Sequence, residues 1–121
     1  MREVLIASLA ALLLIVGAVK YFGYDQVGIA SWYGPGFDGK RTSNGEIYDM
    51  NAMTAAHKSL PFNTIVKVVD LDTGRSVMVR INDRGPFIPG RIIDLSHAAA
   101  EELGIIQKGT ARVGLKVLRW P

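Results

Sequence analysis

The chain has 121 residues, enough for one domain of roughly 100 residues with a single modest core after a short leader. It contains no cysteine, which excludes disulfides, thiolate catalysis and cysteine-ligated zinc, and its two histidines are too few for most all-protein transition-metal sites. The net charge of +3 is dispersed, without the basic run or base-stacking module of a nucleic-acid binder; it suits an anionic polymer or simply a solvated surface.

Taken from the N-terminus, Val4 to Val19 reads VLIASLAALLLIVGAV, apolar except for Ser8 and preceded by Arg2. These are the charged and apolar regions of an export signal, and Val16-Gly17-Ala18 supplies small residues for cleavage after Ala18. The alternative is a retained membrane anchor, with Lys20, Tyr21, Phe22 and Tyr24 as an interfacial belt. Such a segment would span about 24 Å, slightly short of the roughly 30 Å hydrocarbon core. Residues 1–24 are therefore expected to be signal or anchor plus linker. Residues 25–121 are expected to work outside the cytoplasm.

The body reads as short β-branched runs: Val27–Tyr33, Ile65–Leu71, Ser76–Ile81, Arg91–Leu95 and Arg112–Trp120. Asp72-Thr73-Gly74-Arg75 is a tight turn that makes the second and third runs a hairpin. Asn51–Ala56 reads as a helical turn, and Ser96 and Gly104 bracket a short helix at His97–Leu103. The class is mostly β, and a small closed barrel protects so many short edges. A faint echo relates two halves. Ala55-Ala56 leads to Asn63-Thr64 and the run IVKVV, and Ala99-Ala100 leads to Gly109-Thr110 and ARVGLKV.

The segments ASWYGPGFDGKRTSNGEIYDMNAMTAAHKSLPFNTIVKV, VRINDRGPF, RIIDLSHAAAEELGI and GTARV, in that order, closely resemble the rare lipoprotein A family of septal-ring lytic transglycosylases. The likeness runs from about Gly28 to Val117. It implies a six-stranded double-psi β-barrel with one or two short helices, related in fold to expansins and endoglucanase-type glycosidases. It also implies endolytic cleavage of the β-1,4 bond from N-acetylmuramic acid to N-acetylglucosamine in peptidoglycan, leaving 1,6-anhydro ends, without cofactor or metal. Many members carry a lipid-modified cysteine and a C-terminal glycan-binding domain. With no cysteine and a chain ending at Pro121, neither lipid anchoring nor septal targeting is expected here, and a monomer is.

That reaction needs a carboxylic acid with a raised pKa to protonate the leaving oxygen and a base for the C6 hydroxyl, roles one carboxyl can fill in turn. By the resemblance, Asp83 in INDRGPF is the first choice for acid/base and Glu46, after Asn44-Gly45, the second. His57 is expected to hydrogen-bond a carboxylate, so that Glu46 and His57 converge on Asp83. Asp49 is a supporting group or a turn cap, and Arg84 contacts a sugar carboxylate or pairs with Asp83. Trp32 or Tyr33, adjacent and so on opposite faces of a strand, offers a sugar platform, with Asn82 beside it. Asp94 is expected to tie down the helix that follows, and His97 to be a surface residue. The competing functions are a non-catalytic, expansin-like glycan-binding module and an inverting glycoside hydrolase, with two carboxyls about 6.5–9.5 Å apart around a water.

Overall fold

The computed structural model describes residues 23–121. The expected signal or anchor at Val4–Val19 lies outside the described residues. Six strands, β1 (Gln26–Trp32), β2 (Thr54–His57), β3 (Ile65–Asp70), β4 (Ser76–Asp83), β5 (Arg91–Leu95) and β6 (Ala111–Arg119), close a barrel in the order β1-β5-β2-β4-β3-β6. Closure leaves no free edge, which is how so many short strands are stabilised together. Alternation explains most of them. In β3, Val66, Val68 and Asp70 point inward while Lys67 faces water, and in β4 Val77, Val79 and Ile81 point inward around exposed Ser76 and Met78. These side chains meet Ile93, Leu95, Val113 and Leu115 in one core.

The hairpin joins β3 to β4 antiparallel as expected, its turn held by the Asp70 carboxylate, which accepts from Asp72 N and Thr73 N. One helix, α1 (His97–Leu103), is present among the described residues. Ser96 caps it through Ala99 N, and Gly104 ends it in the left-handed region at φ 83°, where a side chain would be strained. Ala99, Ala100 and Leu103 bury its inner face against the barrel.

The helical turn expected over Asn51–Ala56 is instead a turn at Asn51 followed by β2. All four residues of β2 are buried, and its sequence, TAAH, carries no apolar–polar alternation. The echoed alanine pairs thus lie in different elements, one in a strand and one in a helix.

Candidate active site

Asp83 ends β4, a strand two residues longer than its apolar pattern indicates. It pairs across the sheet with Ala56 of β2, Ala56 pairs with Asp94 of β5, and Asp94 pairs with Ser31 of β1. Residues level across a sheet share a face, so two carboxylates flank the methyl of Ala56. With strands about 4.8 Å apart, the two acidic backbones stand about 10 Å from each other. Asp83, Asp94, Ala56 and Ser31 line one open cleft of about 480 Å³, walled by Trp32-Tyr33-Gly34, by Phe37 to Arg41 and by Arg84 to Ile88.

The two carboxylates live in opposite surroundings. Asp83 Oδ2 accepts the Tyr33 hydroxyl at 2.6 Å, and Oδ1 accepts Ser43 Oγ at 2.6 Å, Ser43 N at 2.9 Å and Arg84 N at 2.9 Å. Partial burial pushes its pKa up, but these donors outweigh burial and hold it below the usual carboxylate range. Asp94 accepts one side-chain bond, from Ser31 Oγ at 3.1 Å. Burial dominates there, and the charge of Asp83 adds to it, so the Asp94 carboxyl is pushed up. Burial and Asp83 likewise push the Tyr33 phenol far above its ordinary value, so it stays a donor.

Asp83 is therefore in the cleft, but with the opposite proton affinity to the one expected of an acid. The group with the raised pKa is Asp94, which does not tie down α1; that cap is Ser96. Its signal in the sequence was a lone acid between Ile93 and Leu95, on the alternate face of an apolar strand. Ser43 was also missed, since its role depends on a loop meeting β4.

Among the described residues no hydrogen bond joins Glu46 or His57 to Asp83, although Glu46 meets the adjacent Asn82 and His57 follows Ala56, which pairs with Asp83. Glu46 forms a paired contact with Arg80, Oε1 to Nη2 and Oε2 to Nη1, both at 2.8 Å, and accepts from Asn82 Nδ2 at 3.3 Å. The Arg80 hydrogen bonds hold its pKa down at about 2. Glu46 lies outside the cleft lining, and so does Asn82, which is buried. Together with the bond from Asn44 N to Asn82 O, this pair fastens the Thr42–Glu46 loop along β4 and sets Ser43 against Asp83. Gly45, at φ 93°, makes the reversal.

His57 is buried, and its ring bonds no carboxylate. Nδ1 accepts Ser59 N at 3.1 Å and Leu60 N at 3.0 Å, which leaves Nε2–H to donate to Gln26 Oε1 at 2.7 Å. Burial first, then Arg84 and Lys58, lowers its pKa and keeps it neutral. Arg84 lies over the Phe62 ring at 4.0 Å and donates to the His57 and Leu60 carbonyls, so it braces this turn instead of pairing with Asp83. Asp49 caps the turn at Asn51, whose N–H it accepts at 2.9 Å.

Trp32 and Tyr33 both line the cleft, each with its ring already in contact with an aromatic or imidazole neighbour. Trp32 meets His97 edge-on at 5.4 Å, and Tyr33 stacks on Tyr48 at 4.5 Å with Phe37 against its edge. His97, its side chain 32% exposed and 3.8 Å from the Glu101 carboxylate, lies at the surface and also lines a second, apolar pocket of about 320 Å³. Among the described residues no group of three or more His, Cys, Asp or Glu is placed to hold a metal ion.

A family model described as lytic transglycolase matches residues 25–115. The chain belongs to that family. Over 91 residues it is 66% identical to a Helicobacter pylori strain J99 protein named endolytic peptidoglycan transglycosylase RlpA, covering 75% of this chain and 29% of that one. A Campylobacter jejuni protein of the same name is 64% identical over 96 residues, 79% of this chain and 35% of its own length. The chain thus spans about a third of these curated relatives. Among solved structures, a Clavibacter michiganensis expansin superposes with TM-score 0.61 at 22% identity, covering 78% of this chain and 50% of the expansin. A Streptomyces papain inhibitor superposes with TM-score 0.62 at 22% identity, covering 79% of this chain and 97% of the inhibitor. At such identity the likeness is one of fold. In this family member the six-stranded closed barrel with one described helix agrees with the double-psi β-barrel that the resemblance implied.

Proposed function

We propose that this barrel is an endolytic peptidoglycan lytic transglycosylase, with Asp94 as acid and then base and Asp83 as a fixed negative charge. The observation that carries this is the pair of carboxylates on one sheet face whose surroundings drive their proton affinities apart. Asp94 keeps its proton and delivers it to the glycosidic oxygen as the C1–O bond breaks. Asp83, held ionised by its donors, stabilises the positive charge that develops at C1. The C6 hydroxyl oxygen of the muramic sugar bonds to C1, and its proton goes to Asp94, which is restored. No water enters the balance, and the product ends in a 1,6-anhydro ring. Acid–base assistance of this kind supplies ~10²–10⁴ in rate. Lys40, Arg41, Arg84 and Arg91 outnumber Asp83 and Asp94 around the cleft, which favours an anionic glycan.

The spacing of the two acids favours one alternative. Backbones about 10 Å apart leave room for the ~6.5–9.5 Å carboxyl separation of an inverting hydrolase, with Asp83 activating water. Mass spectrometry of the fragments released from purified sacculi separates the two. Anhydro ends support transglycosylation, whereas reducing ends one water heavier support hydrolysis. We also place the barrel in the cell envelope as a monomer, exported or anchored by Val4–Val19. A reporter fused after Pro121 and active only outside the cytoplasm tests the export.

A further inference from the structure

Three large apolar side chains stand out of the cleft walls, Phe37 alone of them with Lys40 Nζ over its ring at 5.6 Å. Phe87 is 79% exposed, Ile88 51% and Phe37 50%. Single exposed apolar residues need no explanation, but a set of them around one cleft marks a contact surface. Both phenylalanines are carried on braced loops. Phe37 rests edge-on against Tyr33 at 5.8 Å, and Lys40 N accompanies it through a bond to the Phe37 carbonyl at 3.0 Å. The Phe87 loop is held by the Arg84 bonds at one end and, at the other, by Arg91 N to Ile88 O at 3.1 Å and Ile29 N to Gly90 O at 3.1 Å. The Phe87 ring lies across Gly85, where an added Cβ would come within 3.6 Å of it.

We infer that Phe87 and Phe37 are the sugar-stacking platforms of this cleft, in place of the packed Trp32 and Tyr33. The ligand is a β-1,4-linked amino-sugar strand, whose pyranose rings carry alternating apolar faces of axial C–H bonds. Aromatic faces bind such C–H faces through dispersion and the ring quadrupole. Phe87 and Phe37 come from different loops lining the cleft that holds Asp83 and Asp94, so each is available to a different sugar of the strand. Ile88 beside Phe87 extends the apolar ledge. This inference rests on the glycan-cleaving function proposed above, and its test is built to fail separately from it.

The test measures binding to purified sacculi by co-sedimentation, in the Asp94→Asn background so that the polymer is not consumed. It is paired with cleavage kinetics in the otherwise native chain. Phe87→Ala is expected to weaken binding about three- to tenfold, the range of one aromatic contact, and to raise KM with little change in kcat. Phe87→Tyr retains binding, and Phe37→Ala weakens it less, because Phe37 is already half covered. Both positions are exposed, so unchanged thermal unfolding is expected to show that the fold is intact. Wild-type binding by Phe87→Ala overturns the inference, as does full restoration by Phe87→Leu, which keeps apolar bulk without a ring. If the native chain releases no anhydro or reducing ends, the reaction fails, while the binding series still decides the platforms.

Discussion

Asp83 and Asp94 show how one face of a sheet makes two different acids. Four donors converge on the first and one on the second. The sign of each shift sets the pH dependence. In the proposed mechanism Asp83 is ionised, so activity is expected to rise with pH through its depressed pKa. Asp94 is protonated there, so activity is expected to fall as pH rises through its elevated one. The result is a bell-shaped profile with an acidic optimum. Ser43→Ala removes one donor to Asp83, and its rising limb is expected to move to higher pH while the falling limb moves less. Asp94→Asn is expected to lower cleavage at least a hundredfold. The same change should raise the melting temperature at pH 7. A carboxyl whose pKa is raised on folding stabilises the fold fully below its unfolded pKa and loses that contribution as pH rises through the folded value. An amide escapes that loss, so the gain should vanish in acid. A melting temperature that falls equally at both pH values would contradict this assignment.

At the scale of elements, the Thr42–Glu46 loop and the His57–Leu60 turn brace the cleft through their hydrogen bonds. Glu46→Gln breaks a half-exposed ion pair, so its direct cost is at most about 1 kcal/mol in urea unfolding. Because the Glu46 pKa is depressed to about 2, this contribution is present above the unfolded value of 4.5 and lost as pH falls through 2. Activity is expected to fall less than for Asp94→Asn, since Ser43 is loosened while both acids remain. A loss as deep as that of Asp94→Asn would return Glu46 to the chemistry. Removing the His57 ring by His57→Ala takes the acceptor from the Ser59 and Leu60 N–H groups and a donor from Gln26 Oε1; water can reach these part-buried groups, so the lost hydrogen bonds cost about 0.5–1.5 kcal/mol. Five strands and the helix were legible, because alternation and caps are local signals. β2 was not, because its four residues, TAAH, are too few and too rich in alanine to show a strand's period. Asp83 was legible through its motif. Its partner was not, because β5 reaches it only by way of β2, a neighbour in space and not in sequence.

For the whole molecule, closure of the barrel is what makes the site possible. Parallel pairing of β1 with β5 and of β2 with β4, joined by antiparallel β2 and β5, brings residues 31, 56, 83 and 94 level on one face. Loops following β1 and β4 then wall that face into a cleft a polysaccharide can enter. Expansin and a protease inhibitor share the barrel, so the fold alone does not dictate chemistry. The proposed chemistry rests on the division of proton affinity between two acids. Carbon-13 NMR of the aspartate side-chain carboxyls, titrated with Asp83→Asn and Asp94→Asn for assignment, measures that division directly. The expected result is Asp94 titrating above an ordinary aspartate and Asp83 below it. Asp83 titrating higher than Asp94, or both at the ordinary value, would contradict the account.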